Sequence, residues 1–143
     1  MRFYYVDSCI YLNLWQREVN DSGNFLWKHA KEFFEKADFE ESIIYYSGFL
    51  LKELMFILTT EEYLLKREFF EDTPIFKKVT LTREEYYNAQ NIKKKINLDI
   101  SLFDIIHLLL AKKTNSALIT RDNLLMDLAK SYNVVALKPE EVL

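Results

Sequence analysis

The strongest constraint on this chain is an alternation of short β-branched or aromatic runs with longer stretches of helical apolar spacing. Phe3-Tyr4-Tyr5-Val6 reads as a first strand, followed by a helix from about Ser8 to Glu18. Asn20-Asp21-Ser22-Gly23 marks a turn, after which Leu26, Trp27, Ala30, Phe33, Phe34 and Ala37 form one helical stripe. Residues 42–46 read as a second strand. Helices are expected at about 48–58 and 60–70, the latter opened by the capping-box pattern Thr59-Thr60-Glu61-Glu62. Phe76 to Thr80 is a weaker strand, and Thr82-Arg83-Glu84-Glu85 caps a helix running to about Lys95. A helix over 101–113, a strand over 117–120, a helix over 122–132 and a strand over 134–137 complete the pattern, before a tail from Pro139.

Strands separated by helices need crossover connections. The expected fold is therefore α/β, a mostly parallel sheet with helices on both faces. No linker or internal repeat interrupts the pattern, so residues 1–143 are expected to form a single domain, long enough to bury roughly 70% of the unfolded surface. With two glycines there is no Gly-rich phosphate loop or dinucleotide fingerprint. One cysteine excludes an intrachain disulfide and a Cys-based zinc site. The most apolar stretch, Gly48 to Leu58, carries Lys52 and Glu53 and falls short of the ~18 residues of a membrane span. The start of the chain shows no signal-peptide pattern. A soluble, cytoplasmic protein with no membrane partner is expected.

In open parallel sheets, function gathers beyond the carboxyl ends of the strands. Asp7 follows the first strand directly, and Asp122 comes two residues after the strand ending at Thr120. Asp104 lies in the first turn of helix 101–113, and Glu53 lies further into the helix after strand 42–46, where a longer side chain reaches back. Four carboxylates from distant segments are thus expected at one rim. Leu102, Phe103, Ile105, Ile106, Leu108, Leu109 and Leu110 make the helix around Asp104 apolar nearly all round, so a carboxylate there is costly unless paired or bound to a cation. No basic cluster is available to neutralise these acids. A hard divalent ion, Mg²⁺ or Mn²⁺, resolves the conflict. Such an ion suits water activation and phosphodiester hydrolysis, with the Thr120 hydroxyl orienting a ligand or the water.

The stretches Tyr5-Val6-Asp7-Ser8, Leu51-Lys52-Glu53-Leu54, Leu102-Phe103-Asp104-Ile105-Ile106-His107 and Leu118-Ile119-Thr120-Arg121-Asp122, with the ending Lys138-Pro139-Glu140-Glu141, resemble the PIN-domain nuclease family, especially its VapC-type toxins. The match runs over essentially the whole chain. The resemblance implies strand order 3-2-1-4-5 and a Mg²⁺- or Mn²⁺-dependent endoribonuclease leaving a 5′-phosphate and a 3′-hydroxyl. It assigns Asp7, Glu53, Asp104 and Asp122 as the acidic quartet and Thr120 as the supporting hydroxyl. It also implies a homodimer and an antitoxin protein that feeds a peptide into the acidic groove.

Simpler roles stand beside these. Asp7 and Asp122 both fall where a helix N-cap is expected, and Glu53 can pair with a surface lysine. His107 shares a helical face with Asp104 and reads better as a hydrogen-bonded core histidine than as a metal ligand. Asp99 reads as a solvated loop acid. Net charge is −3, so attraction to nucleic acid must be local. Between Thr73 and Lys95, six basic residues oppose two acids, with Tyr86 and Tyr87 interleaved. Lys77, Lys78, Arg83 and above all Arg121 are the candidate RNA phosphate contacts, while Lys93 to Lys95 fit a solvated helix face. Phe33, Phe34, Phe69 and Phe70 are candidates for a partner surface. The leading expectation is a toxin endoribonuclease. The alternatives are a housekeeping RNA-processing nuclease and a non-catalytic RNA- or protein-binding module.

Overall fold

Side-chain alternation along the first strand decides how the layers form. In β1 (Phe3–Val6), Tyr4 and Val6 point to one face of the sheet and Tyr5 to the other. The computed structural model describes residues 2–96 and 99–142. After β1 come α1 (Ser8–Trp15), α2 (Leu26–Phe39), β2 (Ile43–Tyr46), α3 (Gly48–Ile57), α4 (Thr60–Asp72) and β3 (Phe76–Lys78). The chain continues through α5 (Arg83–Lys95), α6 (Leu102–Lys113), β4 (Ala117–Ile119), α7 (Asn123–Ser131) and β5 (Ala136–Leu137), then a 3₁₀ turn over Pro139–Glu141.

The sheet has the order β3-β2-β1-β4-β5, and every pairing is parallel. Tyr4 of β1 lies opposite Ile44 on one side and Ala117 on the other. The chain builds outward through β2 and β3, then returns to the far side of β1 as β4. The order therefore reverses between β1 and β4, the place where such sheets hold ligands. Asp7 and the Thr120–Asp122 segment leave those two strands.

One core packs Tyr4, Val6, Ile44, Tyr46, Phe76 and Ile119 against Ile10, Tyr11, Phe33, Leu50, Leu54 and Phe70 of α1 to α4. The other packs Tyr5 and Leu118 against Ala89, Ile105, Ile106, Leu108 and Leu125 of α5 to α7. Both faces are covered, as a parallel sheet requires.

The first helix ends at Trp15, three residues before the expected Glu18. Arg17 takes a left-handed φ of 48°, and Val19 then forms an antiparallel bridge with Phe25 around the Asn20–Gly23 turn. Gln16-Arg17-Glu18 offers no apolar side chain to the core, so nothing rewards another helical turn. The last strand is shorter than expected because Val134 donates its N–H to Ala129 O, closing the end of α7.

Candidate metal centre

Asp7 stands at the N-cap of α1, but its carboxylate makes no capping hydrogen bond. It accepts instead from Thr120 Oγ1 at 2.9 Å, with longer contacts from Ser8 Oγ and Cys9 Sγ, both at 3.4 Å. Only 4% of Asp7 is exposed. Thr120 is fully buried, and its hydroxyl also accepts the Asp122 N–H at 3.1 Å. One hydroxyl thus joins the segment after β4 to the carboxylate after β1.

Asp122 does cap its helix. Its Oδ1 accepts from the Leu124 and Leu125 N–H groups at 3.0 and 3.2 Å. Oδ2 has no protein donor among the described residues.

Glu53 projects from α3 toward α6, where its Oε1 meets Nε2 of His107. His107 is fully buried, and its Nδ1 lies 2.7 Å from Tyr5 Oη, which lies 2.7 Å from Ser47 Oγ. Burial disfavours charge on the imidazole, but the Glu53 carboxylate overrides it and raises the His107 pKa. Burial also pushes the Tyr5 phenol up, so it stays a protonated donor. Asp104 sits in the first turn of α6, where Ser101 Oγ accepts its N–H at 3.1 Å. Burial first, then the negative charge of Asp7, pushes the Asp104 carboxyl up to about 6; His107 opposes the shift and Glu53 adds to it.

Ligand atoms of Asp7, Glu53 and His107 all lie within 4.8 Å of one another. Asp104 feels the charges of all three. Asp122 lies outside that cluster and joins it through Thr120. Among the described residues, no lysine or arginine forms an ion pair with Asp7, Glu53, Asp104 or Asp122. Hard carboxylate oxygens, crowded and with no lysine or arginine paired to them, fit a hard divalent cation.

The basic candidates divide. Lys77 and Lys78 are exposed on the edge strand β3, and Arg83 is exposed at the start of α5. Arg121 is committed within the protein: Nε donates to Asn13 Oδ1 at 3.0 Å, and Nη1 and Nη2 donate to the Glu140 carboxylate at 3.0 and 2.9 Å. It ties the end of β4 to α1 and to the C-terminal turn. Lys113 and Lys93 are also engaged, with Glu85 and with the Ile100 carbonyl.

Of the phenylalanines expected at a partner surface, Phe33 and Phe70 are buried and Phe34 is partly buried. Phe33 packs edge-on to Tyr4, while Phe34 and Phe70 pack on Tyr11, so the core absorbs them. Phe69 is exposed, with Met55, Phe56, Ile57, Leu64 and Leu65 of α3 and α4. Among the described residues, no helix is long and apolar enough to cross a membrane.

Tyr5, Ser47, Asn13 and Glu140 are parts of this region that sequence reasoning missed. For Tyr5 a signal existed: a hydroxyl on a buried strand position must find a partner.

The family model for the PIN domain matches residues 4–131. No curated protein matches. Among solved structures, FitAcB from Neisseria gonorrhoeae is similar at 16% identity and a TM-score of 0.63, covering 97% of this chain and 99% of that one. FitAB bound to an IR36 DNA fragment is similar at 14% identity and a TM-score of 0.61, covering 98% and 97%. A domain of a functionally unknown protein from Methanocaldococcus jannaschii DSM 2661 is similar at 20% identity and a TM-score of 0.57, covering 96% and 91%. With a family match over nearly the whole chain and the same fold in these structures, the chain belongs to the PIN domain family.

Proposed function

We propose that this protein is a Mg²⁺- or Mn²⁺-dependent endoribonuclease, the cytoplasmic toxin of a toxin–antitoxin pair. The observation that carries the reading is the meeting of Asp7 and Glu53 beside Thr120 and within the electrostatic reach of Asp104, with no lysine or arginine paired to them among the described residues. PIN domains are generally metal-dependent nucleases, and the donor set here suits a hard cation. When bound, such an ion supplies charge for the phosphoryl group and lowers the pKa of an attacking water.

The residues of the chain divide that work. Asp7, Glu53 and Asp104 hold the cation, and Asp122 adds its uncapped Oδ2. Thr120 fixes Asp7 through its 2.9 Å hydrogen bond. Lys77, Lys78 and Arg83 offer exposed charges for RNA phosphates. Arg121 serves there only after leaving Glu140. The exposed apolar residues of α3 and α4 supply the surface for a second copy or an antitoxin.

The test is cleavage of single-stranded RNA, with single-stranded DNA of the same sequence as comparison. Wild-type protein is expected to cut RNA in Mn²⁺ or Mg²⁺, leaving 5′-phosphates, and to stop in EDTA. Asp7→Asn is expected to lose roughly 10²- to 10³-fold in rate, the worth of several kcal/mol of metal-derived stabilisation. Unchanged cleavage by Asp7→Asn overturns the assignment. Tight RNA binding without cleavage supports the non-catalytic module.

A further inference from the structure

His107 lies at the middle of a buried chain of polar groups that the metal reading does not use. The chain runs from the Leu50 N–H to Ser47 Oγ at 3.2 Å, from Ser47 Oγ to Tyr5 Oη at 2.7 Å, from Tyr5 Oη to His107 Nδ1 at 2.7 Å, and from His107 Nε2 to Glu53 Oε1. An ionised carboxylate only accepts, so the Nε2 position carries the hydrogen that Glu53 receives. That holds for the neutral ring and for the charged one. In the neutral ring Nδ1 then accepts from Tyr5, Tyr5 accepts from Ser47, and Ser47 accepts from the Leu50 N–H. Every donor and acceptor along the chain is used once, in one direction.

A metal ligand needs a bare ring nitrogen, and here Nε2 bears a hydrogen and Nδ1 faces the Tyr5 hydroxyl. The closeness of His107 to Asp7 and Glu53 is thus explained without coordination. Glu53 differs from Asp7 in having a longer side chain that reaches in from α3, with more rotamers to lose on ordering. Outer hydrogen-bond partners supply that order in metal sites generally.

We infer that Tyr5 and His107 are positioning residues, a relay anchored on Ser47 that holds Glu53 by Oε1 and leaves Oε2 as its oxygen for the cation. This rests on the metal-site reading above. The relay belongs to both layers of the molecule: Tyr5 comes from the central strand, His107 from α6 and Glu53 from α3.

The experiment uses the full chain and Mn²⁺ alone. Mn²⁺ affinity is read from the electron paramagnetic resonance signal of the free ion, and coordinated nitrogen from electron spin echo modulation. Wild-type protein is expected to bind Mn²⁺ with no directly coordinated nitrogen. His107→Ala is expected to lose roughly 10- to 100-fold in affinity, Tyr5→Phe roughly 10-fold, and His107→Gln to recover part of the loss. Phe33→Leu, which thins the opposite core without touching the relay, is expected to melt lower yet keep wild-type affinity. Tyr5→Phe keeps the ring that packs in the core, so the test survives if His107→Ala does not fold. Wild-type affinity in both Tyr5→Phe and His107→Gln overturns the relay and leaves the metal site standing. A coordinated nitrogen makes His107 a ligand and overturns it too. Failure of wild-type protein to bind Mn²⁺, or equal binding by Asp7→Asn, removes the metal site and the relay with it.

Discussion

Asp7 and Asp122 occupy the same kind of position, immediately before a helix at the carboxyl edge of the sheet, yet their carboxylates are used differently. Asp122 bonds the first N–H groups of α7, whereas Asp7 turns away from α1 to Thr120. Sequence places both residues but cannot separate the roles, because Asp suits either. What separates them is the Thr120 hydroxyl, which arrives from 113 residues away. Asp104 has the most measurable consequence. Its carboxyl rises from 3.8 to about 6 in the folded protein, so the folded state binds the proton more tightly between those values. Ionised Asp104 therefore costs stability above pH 6, and the cost is relieved as pH falls through 6 toward 3.8. His107, with its raised pKa, acts in the same sense, since its charged form contributes stability at low pH that is lost on the way up. In EDTA at pH 7.5, Asp104→Asn is expected to raise unfolding free energy by about 1 kcal/mol, discounted for partial exposure, and to gain nothing near pH 4. Urea denaturation at both pH values measures this, and a gain that grows on acidification would refute it.

Helix starts were the most readable elements because their signals are local. Thr59 and Thr82 close capping boxes with Glu62 and Glu85, and each pair exchanges both of its hydrogen bonds. Ser101 caps α6 and thereby sets Asp104 in the first turn. The end of α1 was not readable, since the stop depends on what the core fails to offer Gln16 and Arg17 rather than on a breaker residue. At α7 the cap and the site share one side chain, and substitution separates the two. Asp122→Ala is expected to cost about 1 kcal/mol of stability through the lost cap, while Asp122→Asn keeps the cap and the stability. Both lose the charge, so both are expected to cleave RNA more slowly. Chemical denaturation and a cleavage assay on the two variants decide it; full activity in Asp122→Asn would leave Asp122 a cap alone.

Across the whole molecule, the strand order was legible only in the resemblance to the PIN family, whereas the largely parallel layering, whose carboxyl edge is where the acids were expected, follows from the alternation of short apolar runs with helical stripes. The contacts that refine the edge do not. His107 with Glu53, Tyr5 with Ser47 and Arg121 with Glu140 join residues from 19 to 54 positions apart, and no local spacing announces them. The same long-range packing buries Phe33 and Phe70 and leaves α3 and α4 to carry the apolar surface. The central claim is that repulsion among carboxylates at this edge is relieved by a cation. Melting temperature with and without Mn²⁺, for wild type and Asp104→Asn, tests it most directly. Metal-free Asp104→Asn should melt above metal-free wild type, and Mn²⁺ should then raise wild type by clearly more than the variant. A Mn²⁺ shift that is absent from both proteins, or equal in both, would contradict the claim.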